Sequence, residues 1–208
     1  MKMFKLMIFG ALALGVAGCA DMETVSRNAP LDTPQLSSVM VQEQRRYSVQ
    51  EVRFLVPTDM RISEANSFYP IADIVWRGDP FGNRREQIAA IFHSSIAAAS
   101  ADLTGDTAVI VEVTLRRFHS LTERTRYSVG GTHSIKFDFA ILDAETGAMI
   151  EGPQEVHTDL AALGGRAAVH ADQTGQSQKV RITAHLTQVF TDLLSGPVGE
   201  FPEEAGNS

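Results

Sequence analysis

Apolar and polar residues alternate along three segments in the middle of the chain, a pattern that is typical of strands with one buried face. These segments are residues 49–56, 107–118 and 132–143. A short apolar segment at 72–78 predicts another strand. Residues 148–160 follow the turn sequence Asp-Ala-Glu-Thr-Gly, and we expect them to return as the partner of the preceding strand.

Two other segments have the 3.6-residue period of amphipathic helices. The first, residues 84–101, follows Asn83, and Glu86 three residues later completes a capping-box pattern. The second, residues 176–194, is ended by a Gly-Pro pair, whereas the small polar residues at 164–175 predict a loop. The order β, β, α, β, β, β, α predicts an α+β fold, a two-layer sandwich in which a mostly antiparallel sheet packs against two amphipathic helices.

The first 18 residues have the pattern of a secretory signal peptide. Lys2 and Lys5 precede an apolar run at 6–16, which as a helix spans about 16 Å and is too short for a bilayer core of about 30 Å. Val-Ala-Gly then precedes Cys19, the single cysteine, and this arrangement resembles the bacterial lipobox. The resemblance implies that diacylglycerol is attached to the Cys19 thiol and that the mature protein begins there. An ordinary signal peptide that carries a cysteine is the alternative.

This leader sets the expected domain organisation and location. We divide the chain into a signal peptide (1–18), a lipidated N-terminus and tether (19–48), an α+β periplasmic domain (49–196) and an acidic tail (197–208). A short helix at 37–47 is an alternative for the end of the tether. In Gram-negative lipoproteins, Asp directly after the lipidated cysteine favours the inner membrane. Because Ala20 holds that place here, we expect the periplasmic face of the outer membrane, with the inner membrane as the alternative.

Charge and motif content argue against several classes of function. Loss of the two leader lysines changes the formal net charge from −7 to −9, which is unfavourable for nucleic-acid binding. The six histidines lack metal-ligand spacing and no GxSxG motif is present, so we expect no metal, no cofactor and no enzymatic activity. Glu112 and Asp138 suit acid–base chemistry, but ion pairing with nearby Arg116 and Lys136 across a solvated sheet face is favoured.

Positive charge is concentrated in residues 116–136, which contain five basic residues and one acidic residue. One interpretation is a mobile, solvated hairpin loop without a ligand. The other is a basic, aromatic-bearing edge that binds an anionic partner, such as an acidic protein, peptidoglycan or lipid headgroups. The candidate partner-binding residues are Arg116, Arg117, Arg124, Arg126, Tyr127 and Lys136.

Residues 63–87, 117–147 and 175–186 resemble a family of small Gram-negative envelope lipoproteins of unknown function. The resemblance supplies a class of protein, but no activity that can be carried over to this chain. A strand, a loop and a strand that ends in Asp-Ala-Glu-Thr-Gly also resemble lipoproteins that accompany cell-wall synthases or envelope transporters. We therefore expect a non-enzymatic lipoprotein, held on the membrane through the lipid on Cys19, whose domain binds another envelope component. The alternatives are an accessory subunit of a lipid or polysaccharide transporter and, from another class, a cell-wall hydrolase.

Overall fold

The computed structural model describes residues 43–200, so the predicted leader, Cys19 and most of the tether lie outside the described residues. The described strands are β1 (Tyr47–Leu55), β2 (Ile74–Val75), β3 (Thr107–His119), β4 (Gly131–Asp143) and β5 (Met149–Ala162). The described helices are α1 (Arg84–Ser100), α2 (Glu123–Arg126), α3 (Gly165–Gln173) and α4 (Gln178–Ser195). Among these helices, none combines the length and apolar character needed to cross a membrane.

The strands form one sheet in the order β1-β3-β4-β5. The two longest ladders, β3 with β4 and β4 with β5, are antiparallel, whereas β1 pairs with β3 in parallel from Tyr47↔Thr107 onward. The short strand β2 pairs in parallel with the last residues of β3. We call the end where β1 and β3 begin the entry end of the sheet, and the end where β3 stops and β4 starts the far end.

One face of the sheet carries the core, as the alternation predicts. Val111 and Val113 of β3 and Phe137 and Phe139 of β4 are fully buried and point toward α1 and α4. Aromatic side chains join the two layers, since the ring of Phe92 on α1 lies 5.5 Å from Phe137 and 6.0 Å from Phe190 on α4. The predicted two-layer α+β sandwich is confirmed.

The helix start at Asn83 is confirmed in atomic detail, because its side chain accepts hydrogen bonds from the backbone N–H groups of Arg85 and Glu86. The segment 164–175, however, contains the helix α3, so its prediction as a loop is wrong. Its start lacks a side-chain cap, and only the small residues Ala168 and Ala171 are buried on its inner side. Such a helix depends on tertiary packing more than on a local signal.

Both ends of the described chain meet at the entry end of the sheet. Residues 43–46 are extended, so the alternative of a helix reaching 47 does not hold for them. The Arg45 side chain is fully buried and binds the carboxylate of Glu151, which also accepts hydrogen bonds from the Tyr47 hydroxyl and from the backbone N–H of Gly199. We call Arg45, Tyr47 and Glu151 the Glu151 cluster. It fastens the strand that enters the domain and the segment that follows α4 to β5.

Candidate functional site

A pocket of about 470 Å³ lies at the far end of the sheet. It is on the face opposite α1 and α4, because its strand residues His119 and Ser134 alternate with core residues of β3 and β4. Its walls are mainly apolar and aromatic, with a few polar groups. The lining residues used below are Phe68, Tyr69, Arg117, His119 and Val129, and Asp159 contributes a carboxylate to the lining.

The aromatic wall of the pocket comes from the loop that precedes β2. Phe68 is 52% exposed and Tyr69 is 67% exposed, so the two rings are presented to solvent rather than buried in the core. The helix α2 holds this loop in place, since Thr125 Oγ1 donates to the Phe68 carbonyl at 2.7 Å and Thr122 Oγ1 donates to the Ser67 carbonyl at 2.7 Å. These hydrogen bonds fix the backbone of Ser67 and Phe68 and so position this part of the aromatic wall.

Tyr69 is fixed on both sides by residues of β3. Its ring stacks on the imidazole of His119 with centroids 4.6 Å apart, and its hydroxyl accepts a hydrogen bond of 2.8 Å from Arg117. His119 Nε2 lies 2.9 Å from the Pro70 carbonyl, to which the ring donates as the Nε2–H tautomer. Burial lowers the pKa of His119 and the nearby charge of Arg117 lowers it further, against the hydrogen bond to Pro70, so the surroundings favour the neutral ring.

Two of the six predicted binding residues are ion-paired within the domain. Arg116 donates to Asp138 at 2.7 Å, which agrees with the ion pairing that the sequence favours over an acid–base pair. Arg126 is 3% exposed and binds Asp172 at 2.7 Å. Residue 126 is thus inside the fold, where a partner does not reach it.

The other four predicted residues lie at the surface or near it. Within residues 43–200, Arg117, Arg124 and Lys136 form no ion pair with a carboxylate. The Arg124 guanidinium lies over the Phe68 ring, 4.6 Å from its centroid, where a cation–π contact holds it. Lys136 is half-buried opposite Arg117 in the β3–β4 ladder, and Tyr127 is 51% exposed.

The segment 116–136 is also not a single hairpin loop. It contains the end of β3, the helix α2 and the start of β4, and α2 is bound to the loop that carries Phe68. Sequence reasoning missed Phe68, Tyr69 and Val129 as parts of the site. The neighbouring aromatics at 68 and 69, placed between polar residues and a proline, are the signal that could have found them.

The described residues offer groups for binding more clearly than for bond chemistry. In residues 43–200 no three or more His, Cys, Asp or Glu side chains are grouped so that they could hold a metal ion. The pocket presents aromatic rings, the apolar side chain of Val129, which is 74% exposed, and the cation Arg117, and Arg124 lies beside it over the Phe68 ring. Such a surface suits a partner with an apolar side chain beside negative charge.

Comparison with known proteins identifies a family and no function. A family model described as a family of unknown function, DUF6778, matches residues 47–207. No curated protein matches the chain. Two similar solved structures are a "putative lipoprotein" from Caulobacter crescentus CB15 and a DUF330 protein from Xanthomonas campestris. The first is 16% identical over 69% of this chain and 89% of its own, with a TM-score of 0.28. The second is 13% identical over 74% of this chain and 84% of its own, with a TM-score of 0.41.

Proposed function

The chain belongs to DUF6778, a family of unknown function, and we propose that it is a non-enzymatic envelope lipoprotein whose domain binds another envelope protein. In this proposal the lipid on Cys19 holds the chain on a membrane, with the periplasmic face of the outer membrane as the expected location. The observation that supports binding is the pocket at the far end of the sheet, with its preformed aromatic wall and with Arg117 and Arg124, which form no ion pair within residues 43–200.

The partner that fits this pocket is an acidic protein segment that carries an apolar or aromatic side chain. An apolar side chain would enter between Phe68, Tyr69 and Val129, which would bury surface that is now exposed to water. Carboxylates on either side of it would reach Arg117 and Arg124. Both arginines are already held against aromatic groups, so ordering them on binding costs little side-chain entropy.

The position of the pocket favours a protein over the headgroups of the anchoring membrane. The chain enters the domain at the entry end, and the pocket lies at the opposite end of β3. Thirteen residues of β3 at roughly 3.3 Å each put about 40 Å between the two ends. The pocket therefore lies at the opposite end of the domain from the point at which the chain enters it.

In-cell photo-crosslinking tests the proposal. A photo-crosslinking amino acid is placed at Val129, on the pocket rim, and for comparison at Val169, an exposed valine of α3 that does not line the pocket. We expect a discrete crosslinked protein from position 129 only. We expect the yield of this product to fall at least tenfold in the variant with Arg117→Glu and Arg124→Glu, since both positive charges are reversed. Arg166→Glu, on the exposed surface of α3, is the matched charge control.

Three results would count against the proposal. Equal crosslinking from positions 129 and 169 would show that the pocket is not the contact, and unchanged yield in the double variant would show that the cations do not take part. Retention of radiolabelled fatty acid by Cys19→Ala would show that the lipid is not attached to Cys19. Mass spectrometry of the crosslinked protein then separates the subclasses, because a transporter accessory subunit would be joined to a membrane permease.

A further inference from the structure

A second group of polar side chains lies on the other face of the sheet at the same far end. His133 of β4 is fully buried on the inner face, and its ladder partner on β5 is Leu160. Two side chains of α4, one turn apart, reach β5 beside it: Arg181 donates to the Ala161 carbonyl at 2.9 Å, and His185 hydrogen-bonds with Thr158. Helix α4 and strands β4 and β5 thus contribute to this region, and Arg126 of α2 lies near it together with its ion-pair partner Asp172 of α3.

Four buried nitrogen atoms of this region have no hydrogen-bond partner within residues 43–200. They are Nδ1 and Nε2 of His133, Nη1 of Arg126 and Nη1 of Arg181. Buried nitrogen atoms normally find partners, because leaving them unpaired forfeits the hydrogen bonds they made with water. Four such atoms on three neighbouring side chains are a concentration that ordinary packing does not account for.

The region also carries more positive than negative charge. Asp172 pairs with Arg126, but in the part of the chain that the structure describes Arg181 has no carboxylate partner. The two guanidinium groups are near enough to repel each other: burial lowers the pKa of Arg181, and the charge of Arg126 lowers it further. Burial lowers the pKa of His133 as well, and the charges of Arg181 and Arg126 lower it further. An anion between the two guanidinium groups would relieve this repulsion and accept hydrogen bonds from the unused N–H groups.

We propose that Arg126, Arg181 and His133 form a binding site for a phosphate group, either free phosphate or the phosphate of an ester. A tetrahedral oxyanion accepts hydrogen bonds from several directions at once, and these three side chains come from α2, α4 and β4. Arg181 and His185 are only half-buried, so the group enters from the surface between α4 and β5. This site is separate from the pocket of Phe68 and Tyr69, and it does not depend on the proposed partner.

Thermal unfolding of the full-length protein in detergent tests this site. Inorganic phosphate is titrated at constant ionic strength against chloride, and binding is expected to raise Tm by roughly 5–10 °C at a hundredfold excess over Kd. Phosphate also stabilises proteins in general because it is excluded from their surfaces, so variants must separate the two effects. Arg181→Gln is expected to abolish the specific increase, whereas Arg166→Gln, an exposed arginine of α3 outside the site, is expected to keep it.

We expect the fold to survive Arg181→Gln. Arg181 forms no ion pair within residues 43–200, so the substitution takes no partner from a carboxylate, and it removes the repulsion with Arg126. Parallel titrations with glycerol 3-phosphate and glycerophosphoglycerol distinguish the sources. Response to phosphate alone assigns the free ion, and response to the esters as well assigns a headgroup-like ligand. Two results would overturn the proposal: an increase in Tm that is as large with chloride as with phosphate, or an increase with phosphate that is as large in Arg181→Gln as in the unaltered protein.

Discussion

The change Glu151→Gln is expected to destabilise the protein more than an ordinary loss of an ion pair. The Glu151 side chain is 3% exposed and that of Arg45 is fully buried. One carboxylate accepts from Arg45 Nε at 2.8 Å, from Arg45 Nη2 at 2.7 Å, from Gly199 N at 2.9 Å and from the Tyr47 hydroxyl. An amide is neutral and has one acceptor oxygen, so the substitution removes the carboxylate charge that faces the buried guanidinium.

The magnitude follows from the burial of the pair. Removing one partner of a buried ion pair typically costs about 3–5 kcal/mol, because the remaining charge stays desolvated. For a domain of this size that corresponds to a fall in Tm of roughly 6–20 °C. The matched control is Glu51→Gln, which breaks a pair of the same chemistry with Arg53 at 2.7 Å on the exposed face of β1. We expect no measurable change in Tm there, since solvent screens exposed pairs.

Thermal and urea unfolding of the purified full-length protein, followed by circular dichroism, measure both variants. If Glu151→Gln lowers Tm no more than Glu51→Gln, then burial does not set the strength of the Glu151 cluster and the argument fails. The double variant with Arg45→Met and Glu151→Leu adds an independent check. It removes both charges together, so it should recover most of the stability that Glu151→Gln loses.

Two further predictions concern the far end of the sheet. Burial, helped by the charges of Arg181 and Arg126, lowers the pKa of His133 to about 3, so below pH 6.5 protons bind the unfolded chain preferentially and stability falls. Unaltered protein should lose about 2 kcal/mol by pH 5 relative to His133→Leu, and parallel Tm–pH curves for the two would contradict this. A Cβ at Gly164 would lie 2.2 Å from the backbone nitrogen of Gly130. Gly164→Ala should therefore lower Tm more than Gly82→Ala, whose Cβ would meet the movable end of the Gln87 side chain at 3.1 Å; the reverse order would refute the close approach.

The features of the fold that local patterns encode could be predicted from the sequence. Alternation placed Val111 and Phe137 on the buried face, and the capping pattern at Asn83 located the start of α1. These signals act over a few residues, where period and side-chain chemistry decide the conformation. The helix α3 lacks such a signal, because it starts at a Gly-Gly pair and its buried residues are alanines.

The candidate site depends on contacts between distant residues, and there the sequence was less informative. Arg124 and Arg126 cannot be told apart by the sequence of this basic segment. In the structure Arg126 is buried and binds Asp172, which lies 46 positions after it, whereas Arg124 is exposed. The loop of the aromatic wall is likewise held by Thr125 of α2, which lies 57 positions after Phe68. Charge clustering therefore indicated the correct region of the chain, but only the tertiary structure separates the buried arginine from the exposed one.

The parallel pairing of β1 with β3 has a mechanical consequence. If a partner is held in the pocket while lipid holds the N-terminus, tension enters the domain through Arg45 and leaves it through the far end of β3. The β1–β3 hydrogen bonds, from Tyr47↔Thr107 to Leu55↔Thr114, then lie across the pulling direction and are loaded in shear. They share the force instead of opening one after another. Under such a load the domain would transmit the force along β3 without first separating at its β1 edge.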